Sequence, residues 1–195
     1  MRTAEITRAT RETDIRLRLD LDGSGKTELH TGVGFFDHML DAFSRFALID
    51  LSLRCDGDLE VDAHHTVEDC GICLGKAIRE ALGDRAGIRR VGSAYLPMDE
   101  ALAFAAIDIS GRPYLAFDAA FTAPMLGSMD TQLAEEFFRA VVTNAGLTCH
   151  LRVIEGRNDH HKMEALFKAF GLALRDAMAL DPRVQGVLST KGSLD

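Results

Sequence analysis

The stretch His64-His65-Thr66-Val67-Glu68 and its twin His160-His161-Lys162-Met163-Glu164 decide how this chain is read. Both spell His-His-x-x-Glu, and together they hold four of the seven histidines. An apolar run with helical spacing follows each, which places both at the start of a helix. Side chains four apart share one helix face, whereas neighbours diverge by about 100°. His64 therefore works with Glu68 and His160 with Glu164, while His65 and His161 aim elsewhere. One such segment can serve two adjacent metal ions, giving two ligands to the first and one imidazole to the second. Imidazole with carboxylate suits a divalent ion such as Mn, Fe or Zn.

The flanks repeat as well. Gly75, Ala77, Arg79 and Ala81 recur as Gly171, Ala173, Arg175 and Ala177, at the interval that separates the two histidine pairs. Ala47 to Leu53 resembles Ala145 to Leu151 at nearly the same interval. These echoes indicate a duplication, with repeats of about 1–90 and 91–195 within a single domain.

In the first repeat, alternation over Asp14 to Leu21 predicts a strand. Asp22-Gly23-Ser24-Gly25 turns it, and Lys26 to Thr31 closes a hairpin. A helix over about Phe36 to Phe46 follows, then a strand from Asp50 to Cys55, a turn at Asp56-Gly57-Asp58 and a strand at Leu59-Glu60-Val61. The helix opened by His64 runs to about Leu82, and Gly83 to Arg90 is a connector. The second repeat reads as strands at Leu102 to Ile109 and Tyr114 to Phe121 around a Ser110-Gly111-Arg112-Pro113 turn. A helix near Thr131 to Asn144, a strand at Thr148 to Ile154 and the helix opened by His160 complete it.

Aligning the repeats sets His38 opposite Glu136, so each repeat offers four donors. Helix geometry and the pseudo-twofold give one ion His64, Glu68, His161 and Glu136. The other receives His160, Glu164, His65 and His38. At this level the two segments can meet either within one chain or across subunits. His150 falls opposite Ser52 inside a strand and reads as structural, and His30 has no counterpart.

Composition narrows the function class. The 195 residues are 47% apolar and 27% charged, ordinary for a globular protein. A net charge of -8 without any basic run excludes a nucleic-acid surface. No apolar stretch is long enough to span a membrane, and Met1-Arg2-Thr3-Ala4 begins no secretory signal, so a cytoplasmic protein without a membrane partner is expected. Cys70 and Cys73 form a C-x-x-C inside a helix without a second pair, which reads as core with reduced thiols. No phosphate-binding P-loop, G-x-G-x-x-G or G-x-S-x-G is present. Arg90 in the connector, Arg112 in its turn, and Lys191 beside Ser189 and Thr190 are loop cations and hydroxyls that suit a phosphate. A dinuclear metallohydrolase would need a cluster of Asp ligands that is absent, and a metal-storage shell would leave the loop cations without a task.

The whole chain resembles the imidazoleglycerol-phosphate dehydratase family. The resemblance rests on Phe36-Asp37-His38-Met39-Leu40, Asp62 to Asp69, Pro97-Met98-Asp99-Glu100-Ala101, Asp108 to Tyr114 and Asn158-Asp159-His160-His161. It implies an α+β fold of tandem duplicated half-domains, each a mostly antiparallel four-stranded sheet with two helices, the helices sandwiched between the sheets, similar to the second domain of ribosomal protein S5. It also implies two Mn ions per active site, and a homo-oligomer expected to be a hollow 24-mer with sites between subunits.

Carried onto matching positions, the family pattern gives one ion His38, His65, His160 and Glu164, and the other His64, Glu68, Glu136 and His161. Many members have His where this chain has Glu136, and a Gln often found in the family is Ala42 here. Arg90, Arg112, Ser189, Thr190 and Lys191 would hold the phosphate of a phosphorylated imidazole substrate, with Glu12 and Lys168 lining the pocket. The implied reaction is loss of water from imidazole glycerol phosphate, giving imidazole acetol phosphate. It would pass through an imidazolate and a diazafulvene-like intermediate, with Glu12 as the base and Glu68 or Glu164 as alternatives.

Overall fold

Alternating apolar and charged residues build a first sheet from β1 (Thr3–Ala9), β2 (Thr13–Asp20), β3 (Thr27–His30) and β4 (Asp50–Gly57), in a computed structural model that describes residues 1–194. Ile15, Leu17 and Leu19 of β2 and Leu51, Leu53 and Cys55 of β4 are buried, while Arg16, Arg18 and Arg54 face outward. The order is β1-β2-β4-β3, antiparallel except that β3 runs parallel to β4. A second sheet repeats the plan with β5 (Val91–Met98), β6 (Ala101–Asp108) and β7 (Tyr114–Asp118). A small ladder of β8 (Met125–Leu126) and β9 (Met129–Asp130) intervenes before β10 (Thr148–Glu155) joins, giving β5-β6-β10-β7.

Four helices connect the strands: α1 (Gly34–Ala47), α2 (His64–Leu82), α3 (Leu133–Ala145) and α4 (Asp159–Met178). α1 and α2 cover the first sheet, α3 and α4 the second, and α2 packs on α3 and α1 on α4. The helices therefore fill the space between the sheets, as the α+β expectation required. Glycines of the repeat set how closely they approach. A Cβ at Gly75 would lie 2.5 Å from the Val141 carbonyl oxygen, and one at Gly171 would lie 2.7 Å from that of Phe43. The core is a continuous cluster in which Phe137, Phe138, Phe167 and Phe170 are buried between the helix pairs.

Several local expectations are corrected. The strand after Asp22-Gly23-Ser24-Gly25 does not close a hairpin on β2; it pairs with β4, which lies between them. The Asp50 carboxylate at the head of β4 accepts hydrogen bonds from Ser24 N (2.7 Å) and Lys26 N (2.9 Å), drawing the loop across. The polar β3 is then an edge strand. The second repeat does the same, with Thr148 Oγ1 at the head of β10 donating to Arg112 O at 3.1 Å, so β7 joins β10 rather than β6. Leu59-Glu60-Val61 is a turn, because β2 and β3 already occupy both edges of β4. Strands β1 and β5 were not expected. Their inward faces are sparse, with Ala4 the one buried residue of β1, and they pair along the outer edges of β2 and β6.

Candidate metal centre and phosphate cavity

Helix α4 starts as a built anchor. The Asn158 side chain caps it, accepting from His160 N (2.9 Å) and His161 N (3.2 Å). Asp159 is buried and accepts from Thr122 N (2.8 Å), Thr122 Oγ1 (2.8 Å) and Ala123 N (2.6 Å), and it pairs with Lys162. Lys162 Nζ in turn donates to Ala120 O at 2.6 Å. Burial works to raise the Asp159 pKa, but Lys162 and the N–H donors hold it well below the usual carboxylate range.

On this anchor the one-turn spacing acts as the sequence requires. His160 Nε2 is 3.1 Å from Glu164 Oε2, and His38 of α1 brings its Nε2 to 3.3 Å from the same oxygen. Donor atoms of His38, His160 and Glu164 all lie within 4.8 Å of one another, the one group of three so close among the described residues. Lys168, one turn further on, holds Glu164 Oε1 at 2.6 Å and stacks its ammonium over Phe46 at 5.1 Å. Burial pushes the Glu164 pKa up, yet Lys168, His160 and His38 bring it below the ordinary value. Two imidazoles and an ionised carboxylate converging this way form a donor set that fits a divalent first-row cation.

The α2 counterpart is looser. His64 Nε2 stands 3.8 Å from Glu68 Oε2, and both side chains are more than two-fifths exposed. His64 and Glu136 line one cavity of about 510 Å³, together with Asp62, Asp130 and Ser128. Thus one predicted set has three donors converged, the other has His64 near Glu68 and sharing a cavity with Glu136, and His65 and His161 are absent from both. His65 instead points its Nδ1 at Asp58 (3.0 Å) and has Nε2 3.7 Å from Glu12 Oε1 in the β1–β2 turn. His161 holds Glu100 Oε2 through Nδ1 at 2.8 Å, with Asp99 Oδ2 at 3.8 Å from Nε2. The Asp58 and Glu100 carboxylates raise the pKa of these two imidazoles, and His161 lowers that of Glu100 to about 2. The sequence reading missed Asp58 and Glu100 as site residues: Asp58 was a turn residue and Glu100 part of a matching segment without a role.

The loop cations do converge. Arg90, Arg112, Ser189, Thr190 and Lys191 line a cavity of about 580 Å³. Arg90 forms a fork with Asp108 (2.7 and 2.9 Å) and donates to Leu188 O at 2.8 Å, tying the C-terminal segment to the connector. Its backbone N–H bonds Ala177 O in the last turn of α4. About 20 Å of helix axis therefore separates this cavity from Glu164 in the first turns. Of the remaining residues, Ala42 is buried in α1, the exposed His150 sits outward on β10, and all four cysteines are buried free thiols.

The chain is similar to known proteins over its length. A family model described as imidazoleglycerol-phosphate dehydratase (IGPD) matches residues 31–174. An imidazoleglycerol-phosphate dehydratase of Symbiobacterium thermophilum is 62% identical over 193 residues, covering 99% of this chain and 93% of the relative. One from Acetivibrio thermocellus is 58% identical, covering 99% of both. The crystal structure of the Staphylococcus aureus dehydratase superposes with a TM-score of 0.84 at 41% identity, covering 92% of this chain and 99% of that one. That of Pyrococcus furiosus IGPD gives 0.83 at 37%, covering 97% and 100%.

Proposed function

The chain belongs to the imidazoleglycerol-phosphate dehydratase family, and from that premise we propose that its two donor sets are completed between subunits around the substrate's imidazole. It is a hydro-lyase that removes water from imidazole glycerol phosphate, a small molecule, in histidine biosynthesis. The convergence of His38, His160 and Glu164 carries the reading.

Two divalent cations, Mn(II) on the family pattern, would be held by His38, His65, His160 and Glu164 and by His64, Glu68, Glu136 and His161. When bound they supply Lewis acidity to the ring nitrogens. In one chain His38, His160 and Glu164 converge, His64 stands near Glu68 and shares a cavity with Glu136, and His65 and His161 are turned elsewhere. The phosphate cavity is also about 20 Å along α4 from Glu164, much further than a three-carbon chain can reach. Both facts support sites shared between copies, in a homo-oligomer that the family resemblance puts at 24 subunits. A cytoplasmic setting suits the four unpaired thiols.

The chain's own residues then divide the work. Arg90, Arg112, Ser189, Thr190 and Lys191 bind the phosphate and fix one end of the substrate. A partner's His65 entering the His38–His160–Glu164 set would carry Glu12 with it, since Glu12 lies beside His65 Nε2. That delivers a carboxylate to the side where Lys168 stands against Glu164. Glu12 is the base that takes the carbon-bound proton, with Glu68 and Glu164 as alternatives for moving ring protons.

Incubation with imidazole glycerol phosphate and Mn(II) should yield imidazole acetol phosphate. Glu12→Gln should lower kcat at least about 100-fold while two ions per chain remain bound. Full activity with fewer than two tightly held ions per chain defeats the proposal.

A further inference from the structure

His65 and His161 are held alike by residues of unlike origin. A carboxylate can only accept, so a 3.0 Å contact from Asp58 and a 2.8 Å contact from Glu100 each place the ring proton on Nδ1. In the neutral ring Nε2 is then the nitrogen with a free lone pair. Asp58 lies in the loop between β4 and α2, whereas Glu100 lies in the β5–β6 hairpin.

The repeat shows what changed. β2 and β6 occupy the same place in their sheets and have the same length, so Glu12, just before Thr13, is the counterpart of Glu100, just before Ala101. Glu100 is fully engaged: besides His161 it accepts from Arg157 N (3.1 Å) and Asn158 N (2.7 Å). The Glu12 carboxylate makes no such bonds and stands instead on the Nε2 side of His65, at 3.7 Å. Only its backbone is tied to the loop, with Asp58 N donating to Glu12 O at 3.0 Å.

We propose that Asp58 and Glu100 are positioning residues that fix the Nδ1-protonated tautomer of His65 and His161. By holding His65, Asp58 leaves the Glu12 carboxylate free for the reacting side. A carboxylate on the far nitrogen of a ligating histidine sets its orientation and raises its basicity. The inference rests on the reading that His65 and His161 are metal ligands.

The test is a Mn(II) titration of the full assembled protein, counting free ion by electron paramagnetic resonance. Asp58→Ala and Glu100→Ala should each weaken one class of site by about 10- to 100-fold. Urea unfolding of the metal-free Asp58→Ala protein should change little on the alkaline side, whereas Glu100→Ala, which also frees Arg157 N and Asn158 N, should lose stability. Asp58→Asn, which keeps an acceptor oxygen, should recover most of the affinity. Glu12→Gln should keep the affinity of the native protein and lose turnover.

Native affinity in the Asp58→Ala variant overturns the assignment, as does a loss that Asp58→Asn does not recover. A Glu12→Gln loss as large as that of Asp58→Ala overturns the division of labour. Where Glu100→Ala fails to fold, the Asp58 variants carry the test. His65→Ala separates the two levels. If it binds Mn(II) normally, the ligand reading itself fails; if it loses the ion while Asp58→Ala does not, only this inference fails.

Discussion

The two His-His-x-x-Glu helices carry the same letters but are not built to the same firmness. At the head of α4, Asn158 caps the helix, the Asp159–Lys162 pair is buried, and Glu164 is 6% exposed between two imidazoles and Lys168. At the head of α2 no side chain caps from the Ala63 position, and Glu68 is 42% exposed over its side chain. The position matching Lys168 is Ile72, so no cation stands one turn beyond Glu68. A duplicated scaffold has thus given one arrangement set in advance and one that waits for more ligands. The difference also breaks the symmetry of the reaction. In the proposed assembly Glu12 would meet the Lys168 ammonium on the α4 side, while its counterpart Glu100 is committed to structure.

The largest test of this contrast removes the two carboxylates in turn from the metal-free protein. Glu164→Ala leaves Lys168 without its partner and should cost about 2–3 kcal/mol, below the range for a fully dry pair because Lys168 keeps some solvent. Glu68→Ala should cost under about 0.5 kcal/mol, as for a surface site. Urea unfolding of the two variants measures both. Equal losses would mean that the α2 set is as firmly organised as the α4 set.

Acid should act on the second repeat through the same groups. Asp159, Glu164 and Glu100 all have lowered pKa values in the folded chain. A lowered folded value gives stability that is complete above the unfolded carboxylate pKa, about 4, and is lost as pH falls through the folded value. His65 and His161 carry the opposite sign. Their raised values give stability that is complete below about pH 6.5 and fades as pH rises through the folded pKa. The metal-free protein should therefore lose stability on both sides of a mildly acidic maximum. Asp159→Asn should flatten the acid limb and cost about 3 kcal/mol near neutrality. Asp58→Ala should flatten the other limb. Urea midpoints across pH check both, and an acid limb unchanged by Asp159→Asn would place its origin outside α4.

Much of this was readable from residue order, and what was not has a physical cause. Helix positions and the one-turn His–Glu pairs follow from short-range rules, spacing four apart and a repeat interval, so His38, His160 and Glu164 could be grouped in advance. Strand neighbours depend on long-range competition, and there the local turn signals misled. Asp50 and Thr148 reach across to pull β3 and β7 away from their apparent hairpin partners, and nothing within either loop announces that. The carboxylates behind His65 and His161 were hidden for a related reason. Asp58 and Glu100 occupy different elements and obey no common spacing from the histidines they hold. The interval between the histidine pairs would set Glu12 against Asp108, so only the strand order of the fold reveals Glu100 as its counterpart and shows that the two diverged.

The smallest expected effect probes the helix starts themselves. Asn158→Ala removes an acceptor that serves two of the first α4 N–H groups, and a cap of this kind is worth about 1 kcal/mol. On α2 the nearest equivalent is Asp62, whose Oδ1 accepts from His64 N alone at 2.7 Å from an exposed position. Asp62→Ala should therefore cost less, about 0.5 kcal/mol, at the low end of the same range. The comparison turns on the ratio, because both losses are small. If Asp62→Ala proves the costlier change, the α2 start is organised by its loop more strongly than the cap geometry implies. The firmness assigned to α4 would then rest on Asp159, Lys162 and Glu164 alone.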